Sequence, residues 1–348
     1  MNAFDEKYDF RFAKLSDVGA IMEFVKSEWK ANHIFATDRD FLLSEFGDGD
    51  FVQFVLAVNR QSGKTDGMIG FLLASKDPDC LDIWSVMWKI TARRPVMPFL
   101  GIELMERLMQ MTKCRTEIGV GANPMTSIPI LKMELNFWVG KMDHYYRLSD
   151  RSNFRIAMIK EFRKSEKIPT EPRTLKEYHG IDELADDFHF EKEKTVRPYK
   201  DSWYIGRRFF HHPVYKYCVY GVQNSQRKTE AILVGRPVEC NGSRIFRIVD
   251  YIGDEKAFCG LYDTFTELLK GYEYIDFYCY GLEEKSILGA GFVKRDENDG
   301  NIIPNYFEPF VRDNVDIWIN SSKAGCRFFK ADGDQDRPNI IFRDAERS

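Results

Sequence analysis

The chain has 348 residues, 44% of them hydrophobic and 14% aromatic, with a formal net charge of −4. That is material for two cores and too much for a disordered chain. The slight acidity without a concentrated basic stripe argues against a nucleic-acid partner, and no window approaches the roughly 18 uninterrupted apolar residues of a membrane span.

The opening MNAFDEKYDFRFAK is too charged for a secretory signal, and seven scattered cysteines without a CxxC pair fit reduced thiols better than disulfides or zinc. A cytoplasmic, metal-free protein is expected. Residues 9–15 alternate and predict a strand. Ser16 and Asp17 offer an N-cap to a helix reaching Lys30, with Val18, Ile21, Met22, Val25 and Trp29 on one face. A second helix is expected over 38–46, then strands over 51–59, 67–75 and 82–90. Trp84 and Trp88, four apart, should share a strand face. A helix over 101–113 buries Leu104, Met105, Leu108 and Met109, and a strand follows over 116–122.

From 119 to 148 a strand ends in Gly121-Ala122-Asn123-Pro124, a short helix follows, and Leu135-Asn136-Phe137 leads into another apolar run. FRIAMI (154–159) reads as a last strand, and the charged, proline-broken stretch after it as a linker. Helices are expected at 181–188 and 201–210, strands at 215–222, 229–238 and 243–252, a helix at 258–271, a strand at 274–281, a short helix and a final strand. The order of elements in the first half thus recurs in the second. The expected division is 1–150, a linker over 151–195, and 196–348 with a C-terminal tail.

Over residues 8–148 this pattern resembles the GNAT acyltransferase superfamily. The phrases WKANHIFATD (29–38), GKMDHYYRL (140–148), RRFFHHPVYKY (207–217) and ADGDQDRPN (331–339) make the whole chain similar to tandem GNAT-type proteins of bacterial O-antigen and capsule clusters. The resemblance implies an α/β fold of two tandem GNAT-like domains, each a mixed, mostly antiparallel sheet flanked by helices. It implies transfer of an acyl group from acetyl-CoA or another acyl-CoA to a small-molecule amino sugar, free or nucleotide-linked. A homodimer is compatible with it. Acyl-CoA would enter where the 82–90 and 116–122 strands splay apart, its pantetheine pairing with the first of them along Trp88 and Lys89.

The family's Q/R-x-x-G-x-G/A loop, which sets backbone N–H groups on pyrophosphate, aligns with residues 96–101. Only Gly101 is retained there; Arg93 and Arg94 are either a phosphate clamp or a solvated turn. Aligning 135–137 with the family's Leu-Gly-Phe puts Lys132 where a thiolate-protonating tyrosine is common, with Tyr145 and Tyr146 as alternative donors and an exposed helix lysine as the bland reading. Asp82, Glu117 and His144 are candidate bases, His144 preferred because histidine titrates near neutrality. Asn123 either contacts ligand or serves as a turn residue. Trp29 and His33 end the first helix, where acceptor specificity is expected, although a tryptophan at helical spacing such as Trp29 is more often a core residue; Arg207 and His211 are candidate substrate contacts. The second half's expected phosphate loop, 252–260, is acidic and lacks the glycine spacing, so that half reads as an acceptor-binding or structural partner. A Fem-like aminoacyl transferase and a non-catalytic scaffold remain the competing readings.

Overall fold

Near-continuous apolar runs, buried on both faces, make Phe51–Asn59, Thr65–Leu73 and Asp82–Ile90 three successive antiparallel strands in the computed structural model, which describes residues 2–341. Residues 342–348 of the expected tail lie outside the described residues. Tyr8–Lys14 closes one edge of this first sheet against Phe51–Asn59. Asp17 starts the helix Val18–Glu28 but does not cap it with its side chain; the carboxylate is taken by Arg11 at 2.7 Å and the Lys14 amide at 2.8 Å.

Beyond Asp82–Ile90 come Thr116–Val120, then Trp318–Ser321, then Trp138–Lys141. All these pairings are antiparallel except that of Asp82–Ile90 with Thr116–Val120, which the helix Leu100–Thr112 connects as a parallel pair. The helix buries Leu104 and Leu108 against Tyr8, Val55 and Ile69 on the outer face of the sheet.

The second sheet runs Val293–Lys294, Asp143–Leu148, Tyr274–Tyr280, Ser243–Gly253, Thr229–Cys240, Cys218–Gln223 and Thr174–Tyr178. It repeats the first, with one parallel pair, Ser243–Gly253 and Tyr274–Tyr280, and with helical residues 255–269 over its outer face. Two strands cross over. Asp143–Leu148 lies in the second sheet, and Trp318–Ser321, for which no strand is expected from sequence, lies in the first. Each sits between the splaying strand and the edge strand of the sheet it joins. The stretch read as a linker contributes the edge strand Thr174–Tyr178 and the helix Ile181–Asp187. FRIAMI forms only a single bridge, Met158 to Ile302, instead of the expected strand.

The inner faces of the two sheets share one apolar cluster, with Trp84 and Ile118 from the first meeting Ile232, Val249 and Tyr278 from the second. Among the described residues no helix is long and apolar enough to cross a membrane.

The exchange makes each half the edge cover of the other, and an uncovered central strand edge is an aggregation template. Residues 1–150 expressed alone are therefore expected to be insoluble or unfolded, and co-expression with 151–348 to restore a soluble, cooperatively melting complex. Solubility and circular dichroism of the separate and joint products check this.

Candidate active site

The parallel pair in the first sheet is zipped over only part of its length. Residues 82–85 pair with 116–119, and there the pairing stops. The cause lies in the left arm, Asp82–Ile90. Met87 adopts φ 52°, and the register against Thr65–Leu73 shifts between Met68 and Gly70, so an extra residue is accommodated on the left arm. Such a bulge bends its strand and ends pairing. It also reverses the alternation: Trp84 faces the core shared by the sheets while Trp88 packs on the helix side, its indole N–H donating to the Gly101 carbonyl at 3.0 Å. The two tryptophans therefore do not share a face, because the bulge lies between them.

The right arm, Thr116–Val120, leaves in the other direction. Its far edge is covered by Trp318–Ser321, and the Gly121 amide donates to the Trp318 carbonyl at 2.8 Å. Between the arms opens a slot of about 490 Å³. Its lining comes from both faces of the sheet. Ser85, Met105 and Leu131 lie on the helix side; Trp29, His33 and Val86 lie on the side of the shared core. The slot is thus lined from both faces of the sheet.

On the floor, Gly119 has no side chain, and a Cβ there would come within 2.3 Å of the Asn320 amide. Asn320, buried, leaves its Oδ1 without a partner. Glu117 is the carboxylate closest to this floor in sequence and bonding. Strand alternation puts it on the same face as Ser85, whose hydroxyl donates to Glu117 Oε1, while Oε2 has no partner. Its backbone is held on both sides by Ser322, whose amide donates to the Glu117 carbonyl at 2.8 Å and whose Oγ accepts from the Glu117 amide at 2.9 Å. Complete burial pushes the carboxyl up to about 8, against the opposing pull of the Ser85 hydrogen bond. Ser85, hydrogen-bonded to Glu117, lines the slot.

Several expected residues do line the slot: Trp29, His33, Trp88, Lys89 and Asn123. Trp29 is 46% exposed, so it is not a core residue. His33 accepts from the Phe35 amide through Nδ1, and burial beside the Arg337 guanidinium, 3.0 Å from its Nε2, pushes the ring down to about 4. Asn123 takes its turn role as well, its Oδ1 accepting from Met125 and Thr126 amides.

Gly101 opens the second residue of the helix Leu100–Thr112, which has no side-chain cap; Phe99 before it is in the left-handed region and 71% exposed. Arg93 is bonded to the Thr65 carbonyl at 2.8 Å and lies near Glu28 and Asp66, so it is tethered, whereas Arg94 is exposed.

Others lie elsewhere. His144, preferred as base from sequence, is in the second sheet because its strand crosses over; it stacks on Tyr278 at 3.8 Å with Nε2 3.5 Å from Asp276, and it does not line the slot. Burial holds its ring below the usual histidine range. Tyr145 and Tyr146 share that strand: one donates to Glu284 at 3.2 Å, the other accepts from Asn301 at 3.0 Å. Lys132 is exposed on the helix Ser127–Met133, where Leu131 and Ser127 line the slot in its place. Arg207 donates to the carbonyls of Ser44 and Glu45, and with His211 lines a separate cavity of about 90 Å³. Asp82 is consumed by Arg115, at 3.0 and 2.5 Å, and by the Tyr199 amide at 2.8 Å. Asn320 and Gln335 went unnoticed in the sequence; the apolar alternation of VDIWIN was the available signal for the strand that delivers Asn320.

The raised Glu117 carboxyl has a stability consequence. Between its ordinary value of 4.5 and about 8 the folded protein holds a proton that the unfolded chain has released, so Glu117 lowers stability as pH rises across that window. Glu117→Gln is expected to melt a few degrees higher than the parent at pH 8, the gap closing towards pH 5. Thermal melts at the two pH values check the sign.

No protein-family model matches the chain, and no curated protein matches it in sequence. Solved structures do match its fold. A GCN5-related N-acetyltransferase from Anabaena variabilis superposes with a TM-score of 0.54 at 9% identity, covering 90% of this chain and 72% of its own. A conserved Enterococcus faecalis protein described as a probable N-acyltransferase gives 0.52 at 11% identity, covering 90% and 71%. The fold is that of the GCN5-related N-acetyltransferases, with two such sheets in tandem and a strand exchanged between them.

Proposed function

We propose that the protein is an acyl-CoA-dependent N-acyltransferase whose donor is acetyl-CoA or a close homologue. The observation that carries this is the one-sided opening of the parallel strand pair after Ser85 and Gly119, with its far edge covered. Backbone groups of the left arm beyond Ser85 have no strand partner on the slot side, so an extended amide-bearing arm can add to them as a strand would. Gly119 and Gly121, the latter in a φ 80° turn, add no side chain of their own to the opposite wall. The uncapped start of the helix Leu100–Thr112, with Lys89 in the slot and Arg94 exposed nearby in sequence, offers amides and positive charge to phosphate.

In the proposed transfer the amine nitrogen bonds the acyl carbon of a thioester held there as the carbon–sulfur bond breaks, and the nitrogen's remaining excess proton leaves with the sulfur as the free thiol of CoA. The chain's own contribution is to orient and to move a proton. Ser85 accepts a proton from the acceptor ammonium as its own hydroxyl proton passes to the Glu117 carboxylate. Glu117 must be ionised to do this, so turnover should rise with pH through about 8. His33 is held neutral, and the Arg337 guanidinium beside it in the slot is balanced by Asp334.

The acceptor in this proposal is a small amino sugar, free or nucleotide-linked, modified during surface-polysaccharide assembly. The half-exposed Trp29 indole at the slot supports a sugar, since an aromatic face packs on a sugar's apolar face. The polysaccharide context rests on the four short phrases of sequence resemblance.

Calorimetry with acetyl-CoA and a thiol-release assay with glucosamine test the proposal. Binding in the micromolar range and a turnover cut by roughly 10²–10³-fold in Glu117→Gln are expected, with acetyl-CoA affinity retained. Absence of binding at millimolar ligand would sink the acyltransferase reading. Full activity in Glu117→Gln would move the base elsewhere.

A further inference from the structure

Beside the slot lies a second cavity of about 280 Å³, and residues 334, 335 and 337 of one loop form a wall common to both. Its cationic lining is unusual in one residue. Arg247 is fully engaged, with Asp276 at 2.7 Å and the carbonyl of Asn305 at 2.8 Å. Arg236 is paired with Asp336 at 2.8 and 2.9 Å and lies over the Tyr215 ring. Arg337 is balanced by Asp334 at 3.3 Å. Lys330 alone among these has no hydrogen bond and no carboxylate within ion-pair reach among the described residues, although it is only 5% exposed and lines the cavity.

Taking an ammonium out of water without a counter-ion is costly, and burial together with Arg247 and Arg236 pushes this one down to about 8. It stays largely charged at neutral pH, with Asp336 and Asp276 acting on it only from beyond ion-pair distance. Next to it Asn305, 4% exposed, leaves Oδ1 without a donor. The acids present do not answer Lys330: Asp336 and Asp334 are held by arginines, and Glu308 is exposed at the rim, accepting from the Tyr215 hydroxyl.

We infer that this cavity binds an anionic group of the acceptor, phosphate or carboxylate, on Lys330, with Asn305 accepting from a neighbouring hydroxyl. The inference rests on the acyltransferase reading for the word acceptor, since the cavity and the slot adjoin on the two sides of the 334–337 loop. It narrows the substrate class to amines that carry a negative charge, such as amino-sugar phosphates or amino uronic acids. A charge-assisted contact of this kind discriminates strongly, because the neutral analogue leaves the buried ammonium unanswered.

Calorimetry on the full chain without acyl-CoA, using glucosamine 6-phosphate, 2-amino-2-deoxyglucuronic acid and glucosamine as probes, tests it. One of the two anionic probes should bind at least about 10-fold more tightly than glucosamine, and which one identifies phosphate or carboxylate as the recognised group. Lys330→Met should abolish that preference while acetyl-CoA binding and the thermal melt are retained. Asn305→Ala, a second variant, should weaken the preferred probe without removing its advantage over glucosamine. Equal binding of all three probes, or an unchanged preference in a well-folded Lys330→Met, overturns the inference. Acetyl-CoA binding is read separately: its absence alongside a Lys330-dependent anion preference would refute the transferase reading and leave the anion site standing.

Discussion

A parallel strand pair that diverges leaves a free edge on each arm, and the molecule covers only some of these edges with strands from the opposite half of the chain. Trp318–Ser321 covers the far edge of the right arm and bridges it to Trp138–Lys141; Asp143–Leu148 does the same between Tyr274–Tyr280 and Val293–Lys294. Neither sheet is complete without the other half. The slot depends on this directly. Ser322 fixes the backbone of Glu117 on both sides, and Asn320 forms the floor at Gly119. The candidate proton acceptor stands on a first-half strand and is held in place by second-half residues.

The same divergence occurs in both sheets with opposite outcomes. In the second sheet the parallel pairing spans only 246–248 against 275–277. There the chain fills its own gap: Phe328–Phe329 pairs with Tyr274–Tyr280 on one side, and the Ala331 amide donates to the Val249 carbonyl at 2.9 Å on the other. Phe329 stacks with Phe277 at 6.0 Å, so the plug is apolar as well as hydrogen-bonded. With the backbone groups satisfied internally, this gap has nothing to offer an extended ligand. The acidic helix start at Asp254 and Glu255 agrees with that, since carboxylates there disfavour a phosphate.

The strands of the first half were legible because their apolar runs are long and bounded by turn residues: 51–59 and 82–90 match their expected bounds, and the strand expected over 116–122 spans 116–120. Membership of a sheet was not legible. Asp143–Leu148 reads as a strand in any context, and nothing local says that it pairs with Tyr274 and beyond, more than a hundred residues later. That single long-range choice removed His144, Tyr145 and Tyr146 from the slot. The Met87 bulge was invisible for a different reason: a left-handed methionine has no sequence signature of the kind glycine provides. Glu117 was among the candidate bases, but burial, the quantity that raises its carboxyl, follows from packing and not from spacing.

The segment from Lys330 to Arg337 links these features. One end belongs to the plug of the second sheet; the other forms a wall of the slot, where the Gln335 amide reaches the Val120 carbonyl at 3.4 Å. Between them the loop is pinned by buried ion pairs, Asp332 to Lys200 and Asp336 to Arg236. Such pairs add little net stability over an apolar filling, but breaking one strands a charge at a cost of about 3–5 kcal/mol. They therefore act as geometric locks. Moving the wall of the slot would require either unpairing a buried charge or withdrawing the plug. Hence one wall of the slot that opens beyond Ser85 and Gly119 is held in place by ion pairs of the second half.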